Sequence, residues 1–125
     1  IGDVIIPTSG ETPEEISTAS CVMQKDVILA GDLNIFRGNM LDGRILSYIL
    51  NHIVNAEIAR VAQGKSVVHV QASEISKIKI SYPDADAQKK MVSIFEAIAE
   101  KIFNAEKQLK ALNNLRSGLL QQLFI

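Results

Sequence analysis

From Met91 onward, apolar residues recur at Met91, Phe95, Ile98, Ile102, Ala105, Leu109 and Leu112, in alternating steps of four and three. That heptad spacing draws one stripe along a helix that pairs with another helix. The next seam position is Arg116, with Leu115 one place early, and the stripe resumes at Leu119 and Leu123. This is a local disturbance of the seam rather than its end. No glycine or proline interrupts the run before Gly118. The pattern predicts one helix over Asp84 to Phe124, spanning roughly 60 Å at 1.5 Å per residue. A rod of that length is expected to project from a small domain.

The preceding residues carry shorter periods. Asp3 to Pro7 reads as a buried strand that the proline ends. Thr8 to Pro13 has loop composition, and Glu14 to Ala19 fits one helical turn. Cys21 to Met23 and Val27 to Ala30 are predicted strands around Gln24-Lys25-Asp26, with Gly31-Asp32 as a turn and Leu33 to Phe36 as a further strand. Asp42 is an N-cap for a helix to about Ala62, with Ile45, Leu46, Ile49, Leu50, Ile53 and Val54 on its core face. Gly64 closes that helix. Val67, Val68 and Val70 form an apolar strand around His69, and Ala72 to Ile75 a short helical turn. Lys77 to Tyr82 alternates as a half-buried strand does. Asp84 or Asp86 then caps the long helix, where a carboxylate suits the dipole. The expected fold is α+β: a small mixed domain over residues 1–83 and a coiled-coil helix over 84–125.

Composition changes this picture little. The 125 residues are nearly half apolar and carry a net charge of −1, so a nucleic-acid role must rest on local patches. The single Cys21 forms no internal disulfide, which points to a reducing cytoplasm. No apolar run is long enough for a bilayer and no leader is evident, while the first residue, Ile1, suggests a fragment.

Candidate catalytic chemistry is sparse. Gly64-Lys65-Ser66 lacks the glycine five residues upstream that a phosphate-binding loop needs, since position 59 is Ala, and its helix-then-strand context is inverted. His52 has no second ligand at position 56, and one Cys with two separated His gives no zinc site. No Glu-x-Lys of the metal-dependent nuclease type occurs, and no glycine-rich cofactor turn or Asn-Pro-Pro-Tyr motif of a base methyltransferase. The expectation is a non-catalytic chain without cofactor or metal.

Several pieces in order carry a resemblance. Gly2-Asp3-Val4-Ile5-Ile6 precedes Ser9-Gly10. Leu41-Asp42-Gly43 opens an amphipathic stretch, followed by Ala62-Gln63-Gly64-Lys65-Ser66 and Ile78-Lys79-Ile80-Ser81-Tyr82-Pro83. Gln88 then leads into a long helix ending Leu119-Leu120-Gln121-Gln122-Leu123-Phe124. Together these resemble the specificity subunit of type I restriction–modification systems, in the later part of a target-recognition domain and the helix that follows. The chain departs at Ala87, where the family usually has Glu, and against the family's longer N-terminal portion it is expected to lack its beginning.

The resemblance implies a subunit that reads half of a split site in double-stranded DNA, pairs its long helices antiparallel as a spacer, and docks methyltransferase and restriction subunits. One helix per chain implies a homodimer and a roughly two-fold symmetric target. Thr8, Ser9, Arg37, Asn39, Lys65, Ser66, His69, Lys77 and Lys79 are the expected DNA contacts, with Arg37 or Asn39 reading base edges. The seam comprises Met91, Phe95, Ile98, Ile102, Ala105, Leu109, Leu112, Leu119 and Leu123. The alternative is a coiled-coil adaptor that does not touch DNA.

Overall fold

The computed structural model describes residues 1–62 and 68–124. In chain order the elements are β1 (Val4–Pro7), β2 (Ser9–Gly10), α1 (Pro13–Ile16), β3 (Ser20–Cys21), β4 (Leu33–Phe36), α2 (Gly43–His52), α3 (Asn55–Val61), β5 (Val68–His69), α4 (Ala72–Ile75) and α5 (Ala85–Leu123). The fold is α+β, in two compact units, Ile1–Lys89 and Lys90–Ile125.

In the first unit β1 is the central strand of an antiparallel sheet of order β3-β1-β4. Val4 faces Cys21 on one side and Phe36 on the other, and Pro7 faces Leu33. Side chains alternate along the strand, so Val4 and Ile6 are fully buried while Ile5 and Pro7 are half-buried. Each such burial is worth about 1.5–3 kcal/mol. A second, two-stranded sheet pairs β2 with β5, Ser9 opposite His69. Asn34, buried in β4, donates from its amide to the Val70 carbonyl at 3.0 Å and ties the two sheets together. Ile16, Ile45, Ile49, Leu50, Ile58 and Ile75 belong to this core as well.

Local chemistry sets the helix starts. Thr12 and Glu15 form a reciprocal capping box ahead of Pro13, which makes α1 the expected helical turn. Asp42 caps α2 by accepting from the Arg44 backbone N–H at 2.9 Å. Of the two candidates for α5, Asp84 is the cap, accepting from the Ala87 N–H at 2.8 Å.

Several expected elements differ, and the expected loop from Thr8 to Pro13 contains β2. The helix from Asp42 does not run through to Ala62 but breaks at Ile53–Val54, two adjacent β-branched residues. Both of their N–H groups bond the Ile49 carbonyl, which closes α2. Asn51 meanwhile donates to the Ala19 carbonyl at 2.8 Å and accepts from the Ala19 N–H at 2.7 Å. Asn55 donates to Ser17 Oγ at 2.8 Å. Both amides thereby fasten the helices to the stretch after α1.

Val27 to Ala30 is not a strand: it finds no ladder partner, and Ile28 is 94 % exposed. Lys77 to Tyr82 is not a strand either. Ile78 and Ile80 do turn inward while Lys77, Lys79 and Ser81 face solvent, so the alternation reports burial, but no neighbouring strand pairs with it. The expected closing glycine Gly64, and Val67, lie outside the described residues.

The second unit consists of α5 residues. Helix α5 has 39 residues in all, about 58 Å of rise. Met91 and Phe95 are half-buried, and every described residue from Glu96 to Phe124 is exposed, including the seam positions Ile98, Ile102, Leu109, Leu112, Leu119 and Leu123.

Candidate nucleic-acid interface

The turn joining β4 to α2, residues 37–42, is pinned at both ends. At its start Arg37 stands in register with Asp3, one step beyond the Val4–Phe36 pair. Its Nε donates to Asp3 Oδ1 at 2.7 Å and its Nη2 to Oδ2, a two-point ion pair. That guanidinium beside Asp3 holds the carboxyl below the usual carboxylate range. The two partners differ in exposure, with the Asp3 side chain 19 % and the Arg37 side chain 77 % accessible.

At the other end Gln88, buried in the first turn of α5, accepts from the Asp42 N–H at 2.9 Å and donates to the Met40 carbonyl at 3.1 Å and the Pro83 carbonyl at 2.9 Å. Asp42 carries a second side-on ion pair, accepting from Arg44 Nε at 2.9 Å and Nη2 at 2.7 Å. The Arg44 hydrogen bond keeps the Asp42 carboxyl below its ordinary value. Gly43 sits directly on the Gly2 carbonyl, where any Cβ would collide with backbone. Between these anchors Gly38, Asn39 and Met40 are exposed. The result is a surface loop with fixed ends that offers Arg37 and Asn39 to solvent.

Two further groupings collect the remaining expected contacts. Ser9 and His69 face each other across β2 and β5, both exposed. Thr8 lies next to them with its hydroxyl donating to the Asp32 carbonyl at 3.1 Å. Lys77 and Lys79 line a depression of about 510 Å³ together with Arg60, whose contribution the sequence did not signal. Val61 and Ile78 give it apolar walls, and Glu57 and Glu74 add two carboxylates. Glu74 Oε1 holds the Lys77 ammonium at 2.6 Å. Lys65 and Ser66 lie outside the described residues.

Among the described residues no three His, Cys, Asp or Glu side chains gather as metal ligands do. His52 instead lies against Tyr48 in a tilted ring contact, ring centres 4.6 Å apart. Burial pushes the Cys21 thiol up, and the nearby Asp42 charge adds to this, so it is a poor nucleophile at neutral pH. No described helix is long and apolar enough to cross a membrane.

A family model described as the type I restriction modification DNA specificity domain matches residues 2–114. The chain belongs to that family. Comparison with curated proteins and with solved structures gave no significant match. As a specificity domain, the chain has a DNA-recognition role in type I restriction–modification systems, and the pinned loop is its best-formed candidate for reading bases. Asp3, Arg60 and Gln88 were not singled out for this role from the sequence. Opposite charges just past the paired ends of β1 and β4 were the available signal for Asp3 and Arg37. Gln88 bonds groups far along the chain, and Arg60 shares its depression with residues of a later stretch, which no local pattern announces.

Proposed function

We propose that the chain is a non-catalytic reader of one half of a split DNA site within a type I restriction–modification complex. Loop 37–42 meets base edges through Arg37 and Asn39, while Lys77, Lys79 and Arg60, with Thr8, Ser9 and His69, meet phosphates. Helix α5 pairs with the same helix of a second copy along the Met91 to Leu123 seam, and that spacer sets the distance between two readers. The complex supplies methylation and cleavage through its other subunits. The family match over residues 2–114 carries this reading. The exposed heptad stripe supports the pairing, since apolar rows of this length are rare on unpartnered surfaces.

Selection from randomised duplexes by the chain assembled with its methyltransferase subunit tests the reading. The expected result is enrichment of a motif containing one half-site. Joint replacement Lys77→Ala and Lys79→Ala should weaken all sequences alike and flatten the salt dependence by about two phosphate contacts. The net charge of −1 favours the adaptor alternative. Complexes that assemble yet enrich no sequence would establish that alternative in its place.

A further inference from the structure

We propose that Asp3 is a positioning residue for base reading: it grips one edge of the Arg37 guanidinium and thereby presents the other edge to a guanine in the major groove. The inference rests on the DNA-reading function above and goes further, naming the base and a residue that never touches it.

A guanidinium has two edges that can form paired hydrogen bonds. The side edge, Nε and Nη2, is taken by the two Asp3 oxygens. The end edge, Nη1 with the second hydrogen of Nη2, has no partner among the described residues. It belongs to a side chain that is 77 % exposed. The end edge is a planar two-donor fork, and guanine offers two coplanar acceptors, O6 and N7, at matching separation. Adenine puts a donor where O6 would be and does not fit.

The grip matters because a free arginine gives up rotamer freedom on docking. Here that loss has already occurred in the unbound protein. The platform beneath is equally fixed. Asp3 extends β1, whose neighbour Val4 is fully buried, and its side chain is largely covered. The turn that carries Arg37 is clamped at its far end by Gln88 through Met40 and Asp42. An ordinary surface ion pair between two long, mobile chains has neither property. A phosphate could also take the free edge, and the two cases differ in outcome. A phosphate contact weakens every sequence equally, whereas a guanine contact changes which base is chosen at one position.

The test is the duplex selection with the assembled complex, run on wild type, Asp3→Asn, Asp3→Glu, Arg37→Ala and the Asp3→Asn/Arg37→Ala double variant, with thermal melts confirming folding. The wild type should prefer guanine at one position by about tenfold or more. Arg37→Ala should lose that preference alone. Asp3→Asn should lose most of it with total affinity changed only slightly, and Asp3→Glu should restore part. The double variant should match Arg37→Ala, because Asp3 acts only through the arginine. The inference is overturned if Asp3→Asn keeps the wild-type base pattern, or if Arg37→Ala weakens all sequences evenly. Those results would leave the DNA-reading function standing. A wild-type complex with no preference anywhere would overturn both.

Discussion

Asp42 performs two tasks with one carboxylate, capping α2 through the Arg44 N–H and pairing with the Arg44 guanidinium. Replacing it by Ala should cost about 0.5–2 kcal/mol in urea denaturation, mostly from the lost cap. Its acid sensitivity has a definite sign. The folded carboxyl titrates below its ordinary value of 3.8, so the charged form is favoured by folding. This contribution is complete at neutral pH, begins to fade as pH nears the unfolded value, and is lost as pH falls through the lower folded value. Asp42→Asn keeps the cap and removes the charge, so its unfolding midpoint should vary less than the wild type's over this acid range. Asp42 was legible in the sequence because a cap is a local device. Asn51, Asn55 and Gln88 were not, because their partners are carbonyls and N–H groups that only the folded chain brings near.

At the level of elements, local and non-local structure differ sharply in legibility. The long helix was readable from spacing alone, since a helix bonds within its own segment and its stripe repeats. The stretches Val27–Ala30 and Lys77–Tyr82 had strand composition yet form no strand, since a strand exists only where another chain segment accepts its hydrogen bonds. The seam of α5 makes a matching prediction. Ile98→Asp with Ile102→Asp would place charge on the proposed pairing face and should convert the proposed dimer to monomer in sedimentation velocity. Far-ultraviolet circular dichroism of the first unit's signal should persist. A wild-type chain that stays monomeric at high concentration would remove self-pairing from the proposed function.

For the molecule as a whole, the class of fold was legible in the sequence, whereas the grouping of the candidate contacts was not. Arg37 and Asn39 stay together on one loop, as neighbours in sequence must. Lys77 and Lys79 meet Arg60 at the depression, and Ser9 meets His69, only because α3, α4 and the second sheet fold beside them. Cys21 offers a way to time the loosening of that assembly. It is the chain's one thiol, set in a strand of two residues and packed against Gly43. Because Cys21 is half-buried, a small alkylating reagent should label it more slowly than an unhindered thiol, and faster whenever β3 is peeled away. Mass spectrometry of that single adduct should show faster labelling when Gly43→Ala wedges the contact open. The chain thus carries an intrinsic stopwatch for its own breathing, wound by one sulfur atom.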